Sequence, residues 1–436
     1  MDKPKQKQQS LKQQSLWLIG RKKKMYSPLR KSLTADVVVV GGGLTGVLSA
    51  YLLSKEGKRV VLLEKNEIGS GATGYTTGFL TESIDTDYTD LTSAYGLAAA
   101  KAVITSHREA IHLVEKIVRE HDIKCDFMRC SNYIYANSGV LLKDIEGENT
   151  EAKKLGIDAQ VHQDGSALTF KNNGYMEIKE QALFHPVRFL DALTQIAVDQ
   201  GVEVYEHTEV RDIRAEKEGV TVEVGECTIT AGWAISATYE PFDEPLRLYF
   251  KKGMYISYVL QLHIDGEHLV EGMYEDTENP YHFFRVEKEK GGFRVLIGGE
   301  DHREDVHTDE VKSFNALKKY ADDIFGTTYK VVRMWRGPVL EPLDGLPLIG
   351  ALSEDHILYA AAFSGSGMTY AAIAAQLLTA SVRGEKNILH EIYSPARVPG
   401  LKALMYKGRD YAQEFIGGAL KNTFTQSATP TPKLQK

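Results

Sequence analysis

The sequence predicts an α/β protein made of more than one folding unit, and three observations support this class. The chain has 436 residues, more than one hydrophobic core usually organises. Near its start, two short apolar runs flank a glycine-rich turn and a helix-compatible segment, in the order strand, turn, helix, strand. Later, runs rich in Tyr, Val, Ile and Leu at 251–264, 281–286 and 293–298 follow one another without a helix, as in an antiparallel sheet.

Composition restricts the class of protein further. Hydrophobic residues make up 43% of the chain and charged residues 25%, which is typical of soluble globular proteins and excludes wholesale disorder. The three cysteines, Cys125, Cys130 and Cys227, are too few for a disulfide framework or a four-cysteine metal site, and they suit a reducing compartment. We therefore predict a cytoplasmic protein without a bound metal. The net charge of −7 argues against nucleic acid as a partner.

The two ends of the chain differ from its middle. Residues 1–34 contain eight Lys and two Arg against one acidic residue. Their composition predicts that residues 1–33 form a solvated, poorly ordered basic arm. Contact of this arm with an anionic membrane or an acidic partner is the alternative. Residues 398–436 are predicted to form a C-terminal extension that ends in a low-complexity tail rich in Thr, Pro and Lys.

A glycine turn after the first apolar run carries the most specific signal. Gly41, Gly43 and Gly46 follow the spacing G-x-G-x-x-G, which gives a tight turn, room for a diphosphate and close packing of helix on strand. The helix that starts here would offer free N–H groups and its positive dipole end to phosphates. Glu64 closes the second apolar run, where a carboxylate accepts hydrogen bonds from a ribose. The residues expected at a dinucleotide cofactor are Gly41, Gly43, Leu44, Thr45, Gly46, Glu64 and Lys65.

The next segment distinguishes between two kinds of dinucleotide. A nicotinamide-binding fold usually continues with another strand and helix, whereas residues 69–78 are small, hydroxyl-bearing and too rich in glycine for a helix. Such a run lets backbone amides and hydroxyls line a long polar cofactor, which favours FAD. The expected contacts are Gly71, Ala72, Thr73, Thr76, Thr77 and Gly78.

With these motifs the sequence resembles the FAD-dependent D-amino acid oxidase superfamily, which includes glycine oxidase, sarcosine oxidase and glycerol-3-phosphate dehydrogenase. Beyond residues 35–78, the resemblance rests on 183–186, 201–210, 237–238, 343–350 and 362–369. Within the superfamily the chain looks most like the flavin half of proteins that carry a C-terminal Rieske iron–sulfur domain. A Rieske centre needs a Cys-x-His and a Cys-x-x-His pair, and neither occurs in this sequence.

The resemblance implies a particular fold. It is an FAD-binding Rossmann-like domain of the glutathione-reductase type, interleaved with an α+β substrate domain that contains an antiparallel sheet. The FAD-binding domain is expected to consist of residues 34–98, 183–245 and 340–397, and the substrate domain of residues 99–182 and 246–339. Neither domain is therefore one continuous piece of chain.

The resemblance also implies further cofactor contacts. The backbone at Val210 would meet the adenine, although a plain core valine is the alternative, and Ala237 and Thr238 would pass near the cofactor. The turn that starts the last apolar helix would point its positive dipole end at the pyrimidine end of the flavin ring, although a simple capped core helix is the alternative. The residues expected here are Gly350, Ser364, Gly365, Ser366, Gly367 and Met368. No cysteine lies near the expected ring position, so non-covalent FAD is predicted.

The reaction implied by the superfamily is oxidation of a C–N bond in a small amine or amino acid, by hydride transfer to flavin N5. Dioxygen, a quinone or a redox protein would then accept the electrons. The alternative is a flavoprotein dehydrogenase or electron carrier that works with a separate partner, such as a Rieske protein or a quinone. Sarcosine-oxidase-like members place a Lys over the flavin where this chain has Leu296, which puts fast reaction with dioxygen in doubt.

Substrate recognition departs from the family pattern. Members that oxidise amino acids carry an Arg for the substrate carboxylate five residues before the Asp of a segment that here contains Asp344, and this chain has Val339 there. Arg336 and Arg285 are the candidate replacements. Strand alternation predicts that Tyr281 and Arg285 share one face with an intervening Phe, as an aromatic box with one cation. Sheet core with a surface ion pair is the alternative.

Overall fold

The protein, seen in a computed structural model, is described over residues 14–240, 251–266, 268–304, 309–353, 356–398 and 400, and it is built around two β-sheets. In the described residues the first sheet has eight strands. They are β1 Leu33–Val40, β2 Val60–Leu63, β7 Glu203–Tyr205, β8 Asp212–Glu216, β9 Gly219–Val224, β10 Cys227–Tyr239, β16 Leu348–Ala351 and β17 Ile357–Ala361.

The centre of this sheet is parallel. Its path runs β16-β17-β10-β1-β2-β7, and the five strands from β17 to β7 are parallel to their neighbours. The edge strand β16 is antiparallel to β17, and the β8–β9 hairpin extends the sheet beside the start of β10. Val37, Val38, Val39 and Val40 are all buried, because a central parallel strand is covered on both faces.

The second sheet has nine strands in the described residues, in the order β15-β11-β14-β13-β12-β4-β6-β3 with β5 paired to β6. They are β3 Phe79–Leu80, β4 Met128–Tyr135, β5 Ala159–His162, β6 Tyr175–Leu183, β11 Lys252–Asp265, β12 Gly272–Asp276, β13 His282–Glu289, β14 Gly292–Arg303 and β15 Tyr329–Pro342. The pairs are antiparallel except that β12 runs parallel to β4. The exception arises because the chain passes through the first sheet between β6 and β11.

The helices cover both sheets. They are α1 Leu44–Lys55, α2 Tyr88–Tyr95, α3 Leu97–Glu120, α4 Gly139–Leu155, α5 Pro186–Asp199, α6 Glu310–Phe325, α7 Gly367–Val382 and α8 Ile388–Ile392. The apolar helix α1 is buried nearly all round because it lies between α5 and α7. On the second sheet, α6 packs on β11 and β14. None of the described helices combines the length and apolar character needed to cross a bilayer.

The two sheets share elements more closely than the sequence-predicted boundaries imply. The short strand β3 pairs with β6 in the second sheet, although residues 34–98 were predicted to belong to the first. Conversely, α3 packs against α7, which covers the first sheet. Residues 241–250 and 401–436, which contain parts of the predicted segments, lie outside the described residues.

The prediction of a solvated, poorly ordered basic arm is wrong for residues 14–33. Trp17 is only 2% exposed, and Arg21 Nε donates to Asp191 Oδ2 at 2.8 Å. Lys23 Nζ pairs with Glu206 Oε1 at 2.6 Å. Acidic residues on α5 and after β7 thus hold the basic segment against the first sheet, a long-range effect that its composition does not reveal. Residues 1–13 lie outside the described residues.

Candidate functional site

The glycine turn between β1 and α1 has the geometry that the motif predicts. Gly41 has φ +112°, and a Cβ there would lie 2.4 Å from the carbonyl oxygen of Ala237. A Cβ on Gly46 would lie 1.9 Å from Gly41 O. Only glycine fits at these two positions, because the turn is pressed against β10 on one side and against α1 on the other. Thr238, next to Ala237, donates from its hydroxyl to Glu240 O at 3.0 Å.

The start of α1 leaves room and donors for phosphate. Its first helical bond runs from Val47 N to Gly43 O at 3.0 Å, so the N–H groups of Thr45 and Gly46 have no acceptor one turn back. Leu44 N donates to Thr73 Oγ1 at 3.1 Å. A Cβ on Gly43 would meet only that hydroxyl, at 3.4 Å. This open, donor-rich helix start fits a diphosphate group.

Glu64 lies at the same turn. Its Oε2 accepts from Gly42 N at 2.7 Å and its Oε1 from Asn66 N at 2.8 Å. The carboxylate is therefore fixed at the end of β2, where the sequence predicts a ribose contact, whereas the neighbouring Lys65 is exposed. Val210 is buried in the hydrophobic cluster on one face of the first sheet, as the core-valine alternative expects of its side chain.

The loop that follows, residues 69–78, is held by two tryptophans. Trp335 Nε1 on β15 donates to Tyr75 O at 3.0 Å, and Trp17 Nε1 donates to Thr76 O at 2.5 Å. Near the start of the loop, a Cβ on Gly71 would meet nothing within 4 Å, so that part of the loop borders open space beside Ala72. The two indole N–H groups therefore fix the directions in which the carbonyl groups of Tyr75 and Thr76 point.

Arg285 holds the next two residues of this loop. The side chain is 0% exposed, and its Nη1 donates to Thr77 O at 2.6 Å and to Phe184 O at 3.2 Å. Its Nη2 pairs with Glu287 Oε1 at 2.5 Å, and burial lowers the pKa of the guanidinium. A Cβ on Gly78 would lie 2.8 Å from Arg285 Nη1, so the close approach requires glycine. This placement makes Arg285 a clamp on the loop and does not support its predicted role as a substrate anchor.

The position of Arg336 also does not support its predicted role as a substrate anchor. Its Nη1 pairs with Glu310 Oε1 of α6 at 2.7 Å, and 55% of its side chain is exposed. Its neighbour Trp335 bonds to Tyr75. Because successive side chains of a strand point to opposite faces, Arg336 lies on the face away from the loop. The structure thus does not bring Arg336 and Arg285 together.

The aromatic part of the predicted box is present and is larger than expected. The Phe283 ring lies 5.8 Å from Tyr281 and 5.8 Å from Phe79, which follows the cofactor loop. Phe283 covers Gly298, where a Cβ would be 2.2 Å from the ring. Tyr281 is 42% exposed, yet burial of its hydroxyl end and the negative charge of Glu275 raise its pKa well above the usual range. We name Phe79, Tyr281 and Phe283 the aromatic wall.

Three carboxyl groups that the sequence did not single out lie beside this wall. Asp85 Oδ2 accepts from Gly365 N at 2.6 Å, in the turn predicted at the flavin. Glu275 accepts from Ser83 Oγ at 3.0 Å, and burial raises its pKa to about 7. Burial, with Glu341 and Asp85 nearby, raises the pKa of Asp301 to about 7. We call Asp85, Glu275 and Asp301 the acid cluster.

The acid cluster is not sealed inside the core. Asp85 and Asp301 have solvent-accessible side chains, and Glu275 is partly accessible, although protein surrounds Glu275 and Asp301 closely enough to raise their pKa. We name the solvent-accessible space that is bordered by the acid cluster, the aromatic wall and the 364–366 turn the recess. The acids come from the segment after β3, from β12 and from β14. No local pattern links these segments, so only the order of strands in the sheet brings them together.

The turn at the start of α7 borders the recess, because Gly365 N donates to Asp85. The short helix Ser364–Ser366 leads directly into α7, and Ser366 Oγ donates to Ser83 O at 3.3 Å. Gly367 and Met368 begin α7, and Met368 is buried. Gly350 lies on β16, the edge strand of the first sheet, where it pairs with Tyr359 of β17. Since Asp85 bonds to Gly365 N of this turn and its charge acts on Tyr281, the predicted flavin end and the aromatic wall lie near each other.

Comparison with known proteins agrees with this arrangement. Residues 36–381 match the family described as FAD dependent oxidoreductase. The chain is 30% identical over 431 residues to the putative Rieske 2Fe-2S iron-sulfur protein YhfW of Bacillus subtilis (strain 168), covering 96% of this chain and 83% of that protein. It is 25% identical to gamma-glutamylputrescine oxidoreductase of Escherichia coli (strain K12), covering 83% and 86%.

A solved structure shows the same fold. Glycine oxidase from Geobacillus kaustophilus superimposes with a TM-score of 0.69 at 21% identity, covering 84% of this chain and 100% of that one. The α/β fold with a Rossmann-like FAD-binding unit, predicted from the glycine turn and the cofactor loop, is thereby confirmed, and so is FAD as the cofactor. On the extent of the family match and on this fold, the chain belongs to the FAD-dependent oxidoreductases of the D-amino acid oxidase family.

Proposed function

We propose that this protein oxidises the C–N bond of a small amine. The observation that supports the proposal is that Asp85 bonds to Gly365 N in the Ser364–Ser366 turn and lies near Tyr281, so the aromatic wall lies close to the predicted flavin end. Two of the similar proteins bear names of enzymes that act on amino compounds, glycine oxidase and gamma-glutamylputrescine oxidoreductase. We also propose a cytoplasmic location, which the three free cysteines support.

The cofactor and the protein have separate roles in the proposed reaction. FAD, when bound, supplies the two-electron acceptor for the reaction. The substrate carbon gives up a hydride and its nitrogen gives up a proton, so that a C=N bond forms, and a quinone, dioxygen or a redox protein finally takes the two electrons. Thr45, Gly46 and Glu64 would hold the diphosphate and ribose, and Thr73 and residues 76–78 would line the rest of the cofactor. The aromatic wall would orient the substrate and exclude water.

The test is anaerobic reduction of the holoprotein. We expect at least one compound from a panel of primary and secondary amines and amino acids to bleach the visible flavin absorption. tert-Butylamine is the matched control, because its amine-bearing carbon has no hydrogen to lose, and it should leave the spectrum unchanged. A panel in which no compound bleaches the flavin would contradict the proposal.

A dehydrogenase with a separate electron acceptor is the second candidate. Leu296, at the position where related oxidases are expected to carry a Lys, lies fully buried in an apolar cluster with Trp17, Val259 and Trp335. A cation is therefore lacking at this strand position. The similarity to a protein named for a Rieske centre points to the same class of acceptor. We expect the reduced protein to be reoxidised faster by a soluble quinone or an iron–sulfur protein than by air, as measured by stopped-flow absorbance.

A further inference from the structure

We propose that the recess takes a diamine or polyamine, with Glu275, Asp301 and Asp85 binding the ammonium groups of a substrate that carries no carboxylate. The inference rests on the proposed amine oxidation and names its substrate class. Three independent features of the recess support it: the distribution of cations, an unmatched acceptor, and the aromatic wall.

The first feature is the distribution of charge. Both arginines that sequence analysis offered as carboxylate anchors have other partners, Arg285 the cofactor loop and Glu287, and Arg336 the exposed Glu310. Across the described residues Glu275, Asp301 and Asp85 take part in no ion pair with Lys or Arg. His282, which lies near Asp301, already bonds to Asp276 and Glu300. A carboxylate entering this recess would meet like charge, whereas an ammonium group would be attracted.

The second feature is an acceptor without a donor. Asn132 is 0% exposed, and its Nδ2 donates to Glu275 Oε1 at 2.8 Å. The other atom of the same amide, Oδ1, has no hydrogen-bond partner in the described structure. Asn132 Oδ1, beside Glu275, is therefore a buried acceptor without a donor, which is costly where solvent is excluded. An ammonium group carries three donors and no acceptor, so it supplies what the cluster lacks.

The third feature is the aromatic wall beside the acids. Phe79 and Phe283 offer ring surface to an alkyl chain, and Tyr281 brings its hydroxyl to Glu275. Cations and their attached methylene groups bind well between aromatic faces and carboxylates. A chain of methylene groups with an ammonium at each end thus matches the recess: one nitrogen reacts, and the other is held by the acid cluster.

The experiment compares three ligands with the same four-carbon chain on the holoprotein. 1,4-Diaminobutane, 1-aminobutane and 4-aminobutanoate share a four-carbon chain and differ only in the group at one end. Binding is followed under anaerobic conditions by isothermal titration and by perturbation of the flavin spectrum, so that turnover is not required. We expect the diamine to bind at least tenfold more tightly than either of the other two. Equal or tighter binding of 4-aminobutanoate or 1-aminobutane would overturn the inference.

Variants locate the effect. Glu275→Gln removes the charge and keeps one acceptor oxygen, for Asn132 Nδ2, while the Ser83 hydroxyl can turn to accept from the new amide N–H. Asp301→Asn removes the second charge. Each should weaken diamine binding at least tenfold while FAD content stays unchanged. Glu278→Gln, an exposed acid between β12 and β13, is the control and should bind like wild type. A diamine preference that survives in both variants would overturn the inference.

The outcome also separates this inference from the proposed function. Diamine binding that depends on Glu275 and Asp301 without any bleaching of the flavin supports the inference and contradicts amine oxidation. Bleaching by glycine or 4-aminobutanoate, with no preference for the diamine, supports oxidation of a C–N bond and contradicts the inference.

Discussion

His282 is a buried histidine placed between two carboxylates. Its Nδ1 lies 3.2 Å from Asp276 Oδ2, its Nε2 lies 3.2 Å from Glu300 Oε1, and its ring stacks on Tyr320 at 4.1 Å. Burial works against the charged form, but hydrogen bonds to the two carboxylates outweigh it and raise the pKa of His282 to about 9. The imidazolium therefore binds α6 and the second sheet together while it stays protonated.

This raised pKa predicts a pH-dependent stability. Because the pKa is higher in the folded than in the unfolded chain, the contribution of His282 is complete below about pH 6.5 and is lost as the pH rises to about 9. Its size is on the order of 3 kcal/mol. Urea unfolding of wild type and His282→Gln should differ by this amount at pH 6 and hardly at pH 9.5. His112→Gln, on the exposed side of α3, is the control. A difference that stays constant with pH would show that the charge plays no part.

Single residues differ in how far the sequence reveals them. Gly41 and Gly46 were predictable because the spacing of the glycines in the turn marks them, and for Gly46 the constraint is local, since a Cβ there would meet Gly41 O. The predicted contact between Tyr281 and the following Phe is present, although Tyr281 lies just before the start of β13. The role of Arg285 was not predictable, because its partner Thr77 is 208 residues away in the sequence. Its charge and position alone fit a substrate anchor as well as a clamp.

At the scale of elements, the N-terminal segment acts as a brace for the cofactor loop. Trp17 packs edge-on against His185 at 4.7 Å, and its indole N–H reaches Thr76 O. Arg21 joins the segment to α5 through Asp191 and to the loop through Ile68 O at 2.7 Å. A segment whose composition suggests disorder is therefore part of the architecture of the FAD site.

The brace predicts an effect on cofactor affinity. Trp17→Phe keeps most of the ring packing but removes the donor to Thr76 O, which costs about 1 kcal/mol for one buried hydrogen bond. We expect the dissociation constant for FAD to rise about fivefold. Titration of the apoprotein with FAD in a calorimeter measures it.

Trp233→Phe is the matched control for this measurement. Trp233 lies on β10 and contacts His356 at 4.6 Å, not the cofactor loop. Its variant should bind FAD like wild type. Equal affinities of the Trp17→Phe protein and wild type would show that the loop holds its shape without the brace.

Elements with a clear local period were predicted well, and those defined by partners were not. The Ala-rich helical period of residues 91–121 predicts two helices, which correspond to α2 and α3. The apolar run at 357–361 predicts a strand, which is β17. By contrast, β12 and β15 are strands chiefly because β13 and β11 lie beside them. Their residues are too mixed in polarity to show a strand period on their own.

At the scale of the whole molecule, Arg285 fixes the loop that connects the first sheet to β3 of the second. It extends from β13 to the loop that leaves the first sheet, where it also meets Phe184 O. Because the loop is expected to line FAD, we expect cofactor binding and this contact to be coupled.

This coupling predicts the outcome of removing the clamp. Arg285→Met leaves Glu287 without its partner and the loop carbonyls without donors, which should cost about 3–5 kcal/mol in the free energy of unfolding. Saturating FAD should restore part of this loss, because a ligand that binds only the folded state stabilises it by mass action. Unfolding of apoprotein and holoprotein, followed by circular dichroism, measures both effects.

The same substitution at Arg336 is the control. Its ion pair with Glu310 is exposed, so Arg336→Met should change stability by less than about 1 kcal/mol. A small effect of Arg285→Met, similar to that of the control, would contradict the view that Arg285 holds the cofactor loop against β13.

Two of the three tryptophans in the chain, Trp17 and Trp335, donate to neighbouring carbonyls of the cofactor loop, and the third lies on β10. Indole emission overlaps the absorption of an oxidised isoalloxazine, so nonradiative energy transfer to the ring should be efficient from these two positions. Tryptophan fluorescence should therefore report cofactor binding: it should be quenched as FAD binds, and the quenching should be smaller when either Trp17 or Trp335 is replaced.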